Sequence, residues 1–304
     1  MLQHFGVEPP EYAEDAGAQV KDIAFRRTAG VSGHISLKKA WELMKTENVM
    51  TLAVTSASDK LEGLIITGDI AESYMDVYDN HILSRARTQY KNIVETLNGT
   101  LLAGNEHAYF LRGKVVVATG SRDVIEECIE SDDLVIVGDR DETHICALEE
   151  NASCMVVTGG TQVSTQVLEM ANRRDCVVII TPYDTFTAAR LINQSMPIKY
   201  FIKKENFVTF DIDDYVDEVR EVMSKKRHRD FPVLDDQRRY LGMVSRRNLL
   251  NMHKKKLILV DHNEKSQAID GIEGAEILEI IDHHRLGSLE TMSPVFFRNQ
   301  PLGC

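Results

Sequence analysis

The chain is predicted to be an α/β protein of several modules, and three features of its sequence carry that reading. A block of helix, strand, strand and helix occurs twice at a fixed offset. Between the two copies, short β-rich runs alternate with helical stretches, the pattern of a mostly parallel sheet. Near the C-terminus two apolar strands each end in an aspartate-histidine pair. With 304 residues, the chain exceeds the ~150 residues of an ordinary domain, so two or three modules are expected.

The repeat comes first. Residues 37–70 align without gaps to residues 216–249 at an offset of 179, pairing Met44 with Met223, Val54 with Val233, Gly63 with Gly242 and Asp69 with Asn248. Each copy opens with an amphipathic helix, from Leu37 to Met44 or Val216 to Met223; Leu37, Ala40, Trp41 and Met44 recur at helical spacing. A strand follows, Met50 to Val54 or Asp230 to Leu234. After a polar turn comes a second strand, Gly63 to Ile66 or Gly242 to Ser245, which runs into a helix beginning near Asp69 or Asn248.

These units resemble the CBS domain, whose tandem copies pack into a disc with two clefts for adenosyl ligands. The family places Gly, two aliphatics, Ser or Thr, two variable residues and Asp at the end of the second strand. The first copy keeps the acid, with Thr67, Gly68 and Asp69, but shifts the hydroxyl by one place. The second keeps the hydroxyl in Ser245 but has Asn248 for the acid. A hydroxyl and a carboxylate at such a turn can reach a ribose, and nearby helix N-termini favour phosphate. The resemblance therefore implies nucleotide contacts from Met50, Thr51, Thr67, Gly68 and Asp69 in the first copy. In the second it implies Thr209, Arg229, Asp230, Phe231, Ser245 and Asn248, with Arg229 closing the basic run Lys225-Lys226-Arg227-His228-Arg229. The implied ligands are AMP, ADP, ATP or a diadenosine polyphosphate.

Between the copies, residues 71–98 read as one long connecting helix with Ile82, Ala86, Tyr90 and Ile93 on a face. Five strand-like runs follow, Thr100 to Ala103, Lys114 to Val117, Leu134 to Val137, Met155 to Val157 and Val177 to Ile180, with a helix expected from Thr161 to Ala171. Two of these strands end in the turns Gly138-Asp139-Arg140 and Thr158-Gly159-Gly160, which together are similar to the elements that name the DRTGG domain. The second turn is a candidate anion cradle through its backbone N–H groups. Glycine also suits any tight turn, and spacing or dimerisation is the main role expected of this domain.

The C-terminal strands end in Asp261-His262-Asn263 and Asp282-His283-His284, which resembles the DHH phosphoesterase superfamily and, within it, family II inorganic pyrophosphatases. The chemistry explains the residue types, because a carboxylate can bridge two divalent ions and a neutral imidazole suits manganese or cobalt. The resemblance implies Asp261 as the bridging carboxylate and His283 as a metal ligand. It implies His284 at the phosphate under attack and Asp282 as the group orienting a neighbour. The implied ions are Mn2+ or Co2+, with Mg2+ a further candidate, and the implied reaction is diphosphate plus water to two phosphates.

A complete enzyme of that family also has an H-x-x-x-D-x-D motif upstream, a further aspartate downstream and a C-terminal domain with basic substrate-binding residues. The chain is therefore expected to be a fragment, hydrolysing pyrophosphate poorly or not at all by itself. The domain reading is a remnant of a catalytic segment at 1–19, a CBS repeat at 20–80, a linker helix and DRTGG domain at 81–200, a second CBS repeat at 201–256 and a partial DHH domain at 257–304. A non-catalytic adenine-nucleotide sensor is the alternative function.

Composition limits the other classes. A net charge of −12 disfavours a nucleic-acid partner, which needs a cationic surface. No apolar run of ~18 residues suggests a membrane span, and the opening residues lack a secretion pattern, so a cytoplasmic location is expected. Five scattered cysteines read as reduced packing thiols. A homodimer through the CBS units is the default oligomer.

Overall fold

The computed structural model describes residue 6, residues 15–75, 79–205, 207–250, 252, 254–287, 289–291 and 293–299. Most of the segment read as a catalytic remnant, and all of Cys304, lie outside the described residues. The chain forms two compact units, Gly30–Phe207 and a second made of Met1–Ala29 with Val208–Cys304.

The first unit begins with α1 (Leu37–Thr46), started by Ser36, whose hydroxyl accepts from the Lys39 amide at 3.1 Å. Its Leu37, Ala40 and Met44 are buried, whereas Trp41 is 43% exposed, although it shares the apolar spacing. β1 (Thr51–Thr55) pairs antiparallel with β2 (Leu61–Ile66), which passes directly into α2 (Thr67–Met75).

The single helix expected over 71–98 is not formed. Its place is taken by α2, then α3 (Ile82–Arg85), β3 (Thr88–Gln89) and α4 (Tyr90–Thr96). The reason is local. Arg87 adopts φ of 53°, which no helix interior tolerates, and β3 pairs with β5 (Tyr109–Phe110). Thr88 is fully buried and donates its hydroxyl to the Leu83 carbonyl at 2.8 Å. The apolar face survives the break: Ala86, Tyr90 and Ile93 are buried in one core, with Ile82 packed against it.

The remaining elements form one α/β layer. In chain order they are β4 (Thr100–Ala103), β6 (Val115–Val117), α5 (Arg122–Cys128), β7 (Leu134–Val137), α6 (Asp141–Glu149), β8 (Cys154–Val157), α7 (Thr165–Arg173), β9 (Val177–Ile180) and α8 (Thr185–Leu191). The sheet order is β4-β9-β8-β7-β6, parallel except at β4. Both faces are buried, as parallel sheets require. Leu134, Ile136, Cys154, Val156, Val177 and Ile179 enter one core, and Val135, Val137, Met155, Val157 and Val178 enter the other. The helix expected from Thr161 starts later, at Thr165, because Ser164 caps it by accepting from the Val167 amide.

The second unit repeats the first motif. β10 (Phe210–Asp211) lies parallel to β11 (Asp230–Leu234), α9 (Val216–Lys225) precedes β11, and β12 (Tyr240–Ser245) leads into α10 (Arg246–Leu250). The register of β11 with β12 reproduces that of β1 with β2, from Thr51↔Ile66 against Asp230↔Ser245 to Val54↔Gly63 against Val233↔Gly242.

Each repeat is completed by a distant segment. Lys203 forms an antiparallel bridge to Leu64, and Arg26 forms the corresponding bridge to Met243. Glycine is needed where these segments cross. A Cβ on Gly63 would stand 2.7 Å from the Lys203 carbonyl oxygen, and one on Gly242 would stand 2.3 Å from that of Arg26.

The second unit continues into a three-stranded parallel sheet of β13 (Lys256–Val260), β14 (Glu276–Asp282) and β15 (Phe296–Asn299). Leu259, Ile272 and Ile280 form its small core. Among the described residues no helix is long and apolar enough to cross a membrane.

Candidate metal centre and nucleotide-binding residues

The parallel pairing of β13 and β14 brings the two Asp-His motifs together. Asp261 follows the last residue of β13, and its amide donates to the Ile281 carbonyl at 2.9 Å. Its φ of 65° is uncommon for a residue other than glycine, the kind of backbone strain that concentrates at functional positions. The ligand atoms of Asp261, Asp282, His283 and His284 lie within 4.8 Å of one another. His283 Nδ1 is 3.2 Å from an Asp261 carboxylate oxygen, and His284 Nδ1 is 4.0 Å from the same oxygen. The two imidazoles lie 4.1 Å apart between ring centres.

Asp282 differs from the other three. Its side chain has no solvent exposure, and it accepts from the His283 amide at 2.7 Å, the His284 amide at 3.0 Å, the His284 ring at 2.8 Å and the Asn263 amide group. Burial alone would raise its carboxyl. The donated hydrogen bonds of His284, Asn263 and His283 outweigh that and lower it to about 2. Asp282 is therefore a charged scaffold that fixes the backbone and ring of the residues after it. A carboxylate and two imidazoles, exposed at the ends of parallel strands and braced from behind, fit a divalent transition ion. Asp261 and His283 are the residues that would hold it, with His284 beside them.

Asn263 is the site residue to which sequence reasoning assigned no role. It is 4% exposed and joins the motifs by donating to Asp282 and to the Arg285 carbonyl at 3.1 Å while accepting from the Gly287 amide. Its place in the Asp261-His262-Asn263 run, two residues after Asp261, was the available signal.

The nucleotide candidates fall into two comparable groups, one in each unit. In the first repeat, Met50 is exposed, Thr51 is buried, and Thr67 lies beside Met50 through a 3.1 Å bond from the Thr67 amide to the Met50 carbonyl. Gly68 is exposed at the start of α2. Asp69 is buried, accepting from the Ile66 amide at 2.9 Å and from Lys203 Nζ at 2.8 Å.

In the second repeat, Asn248 accepts from the Ser245 amide at 2.8 Å and the Ser245 hydroxyl at 2.7 Å, and donates to the Ala24 carbonyl at 2.8 Å. Asp230 pairs with Arg26 at 3.9 Å. Thr209 is half-buried just before β10, and Arg229 is exposed. Phe231 is wholly buried, packed against Phe210 and edge-on to His228, so its ring supports the strand from behind. Arg246 organises the basic run before β11, donating to the carbonyls of His228 at 3.0 Å, Met223 and Lys226.

The Thr158-Gly159-Gly160 turn has its amides engaged. Gly159 and Gly160, at φ of 78° and 66°, donate to the carbonyls of Tyr183 and Thr181 at 2.8 and 2.9 Å. Those two N–H groups close one loop onto the next instead of facing outward, which corrects the reading of this turn as an anion cradle.

Two α-β-β-α repeats, a parallel α/β layer encoded between them in the sequence and an Asp-His cluster at adjacent strand ends define a class: a CBS- and DRTGG-containing module followed by a parallel sheet with clustered potential metal ligands. Residues 92–195 match the DRTGG domain family and residues 201–254 the CBS domain family. The whole chain is similar to the cobalt-dependent inorganic pyrophosphatase of Clostridium perfringens, 40% identical over 303 residues, and to the probable manganese-dependent inorganic pyrophosphatase of Thermotoga maritima, 35% identical over 303 residues. It spans 55% of the length of each. The crystal structure of the CBS and DRTGG domains of the regulatory region of Clostridium perfringens pyrophosphatase, complexed with the activator diadenosine tetraphosphate, matches with a TM-score of 0.72 and 36% identity, covering 75% of this chain and 100% of that one. The chain belongs to the CBS- and DRTGG-domain-containing family of metal-dependent inorganic pyrophosphatases.

Proposed function

We propose that the chain carries the nucleotide-sensing region and part of the metal centre of an inorganic pyrophosphatase that converts diphosphate and water to two phosphates. The observation that carries this reading is the convergence of Asp261, Asp282, His283 and His284 in a polypeptide whose relatives are pyrophosphatases. A manganese or cobalt ion bound there would supply Lewis acidity and an activated water. Asp261 would share its carboxylate between ions, His283 would ligate one of them, and His284, its ring fixed by Asp282, would contact the phosphate. Pyrophosphate is the substrate.

Adenine nucleotides are the regulators in this reading. Met50, Thr51, Thr67, Gly68 and Asp69 serve one site. Thr209, Arg229, Asp230, Ser245 and Asn248 serve the other, with Phe231 supporting Asp230 from the core. AMP or ADP would inhibit, and ATP or a diadenosine polyphosphate would activate; the relative whose regulatory region was crystallised with diadenosine tetraphosphate as activator supports the second half. The protein is a cytoplasmic homodimer associating through its CBS units.

The test is manganese-dependent phosphate release from pyrophosphate by the chain extended to the length of its relatives, with and without AMP. No release from that form ends the proposal. In the 304-residue chain, His283→Ala should weaken Mn2+ binding, followed by electron paramagnetic resonance, by about tenfold or more. A second reading, a non-catalytic nucleotide sensor, is favoured by the small donor set: once Asp282 is engaged as scaffold, the cluster leaves one carboxylate and two imidazoles. Nucleotide binding without phosphate release from the extended chain would select it.

A further inference from the structure

The two oxygens of Asp69 do different work. Oδ2 accepts from the Ile66 amide at 2.9 Å and closes the turn into α2, as Asn248 does with the Ser245 amide in the second repeat. Oδ1 faces the Lys203 ammonium at 2.8 Å. In the second repeat the corresponding cation, Arg26, stands 3.9 Å from Asp230, and the Asn248 side-chain amide donates directly to the Ala24 carbonyl of the crossing segment. At the turn into the helix, the first repeat thus holds its crossing segment through a charge on Asp69, and the second through a neutral hydrogen bond from Asn248.

The partners in the first repeat are unequal. Asp69 is 6% exposed and fixed by the turn, whereas the Lys203 side chain is 61% exposed. A buried carboxylate needs a donor at all times. A solvated ammonium on a flexible four-carbon stem can leave at small cost. Vicinal hydroxyls of a ribose can replace it on Asp69 as neutral donors. Once displaced, the ammonium is a point charge suited to phosphate.

We infer that Lys203 is the exchangeable counter-ion of Asp69: it occupies the ribose-accepting oxygen in the nucleotide-free protein and transfers to the nucleotide phosphate when ribose takes its place. This rests on the nucleotide-binding reading above and adds selectivity to it. Adenosine must displace the ammonium and offers it no new partner. AMP offers one, so the first-repeat site distinguishes a phosphorylated nucleoside from the bare nucleoside through a residue 134 positions from Asp69 in the chain.

The experiment is calorimetric titration of the 304-residue chain, Lys203→Met and Lys203→Arg with adenosine and with AMP, with Asp69→Ala identifying the component of each isotherm that belongs to the first repeat. In Lys203→Met, adenosine should bind about threefold more tightly and AMP about tenfold more weakly, while Lys203→Arg keeps the preference for AMP. A Lys203→Met variant that binds both ligands as the unchanged chain does, or loses both in equal proportion, overturns the exchange. Should Lys203→Met fail to fold, as read from its thermal transition, a Lys203→Arg variant that loses the preference for AMP overturns it equally. No heat from the unchanged chain with either ligand would remove the nucleotide-binding reading itself.

Discussion

The two repeats share register, bulge and crossing geometry yet solve one problem with different chemistry. At the turn from the second strand to the helix, the first repeat places a buried carboxylate and brings Lys203 to it. The second places an amide, which satisfies the turn with its oxygen and the crossing segment with its nitrogen. An amide is donor and acceptor at once, so it closes the structure alone. A carboxylate can only accept, so it must recruit a donor, and a recruited donor can be exchanged. The pair therefore reads as one repeat built around a replaceable contact and one built around a permanent one.

The largest test of this comparison lies at the shared crossing. Gly242→Ala should cost about 3 kcal/mol and Gly63→Ala about 1–2 kcal/mol in denaturant unfolding, because the added Cβ meets backbone at 2.3 Å in the second repeat and 2.7 Å in the first. Equal costs would show that the two crossings are not graded as the distances imply. Next comes Asn248→Asp, which sets a carboxylate against the Ala24 carbonyl and should destabilise its unit by about 1–3 kcal/mol. Asp69→Asn should cost about 1 kcal/mol or less, since it removes an ion pair whose cation is mostly solvated. A larger loss at Asp69 than at Asn248 would break the contrast between replaceable and permanent contacts.

The smallest effect separates the units themselves. Cys146, Cys154 and Cys176 are buried in the unit that holds the first repeat, and Cys128 is exposed. Burial pushes the Cys176 thiol up to about 12 and the Cys154 thiol well above its ordinary value. In the folded protein these groups are neutral and unreactive. Because the folded value is raised, the stabilisation is complete below the unfolded thiol value of about 8.5 and is lost as pH rises toward about 12. Thiol-reagent kinetics should show Cys128 modified in the native state and Cys154 and Cys176 only on unfolding. Rapid modification of either at neutral pH would contradict the packing.

The repeat was legible because it was a comparison within one sequence: Val54 with Val233 and Gly63 with Gly242 lie at the same offset and proved to sit at the same register positions. The buried sheet was legible for the same reason that it is stable, since runs such as Leu134 to Val137 carry an apolar residue for each of two faces. The connecting helix was misread because Ile82, Ala86, Tyr90 and Ile93 do share a buried surface; the break at Arg87 depends on β5, whose pairing no local period reveals. At the Asp-His cluster, the motifs drew attention to Asp261 and His283, but the parallel register of β13 and β14 was needed to bring them within reach. The Lys203 contact was invisible in sequence, because nothing local to either residue announces a partner so far along the chain.

The Lys203 crossing also fixes how the chain can be divided. The segment that bridges the edge of the first repeat at Lys203 arrives only after the five-stranded sheet has been traversed, and Pro197 just before it is bridged to Ser36. The sheet domain is therefore an excursion that leaves the first repeat after α2 and is tied back to it at Pro197 and Lys203. Because Leu37, Met44 and Ile65 share one core with Leu134, Ile136 and Ile179, replacing the excursion would unpack the first repeat, and a truncation stopping before Lys203 would also remove the bridge to Leu64 and leave that edge of β2 bare.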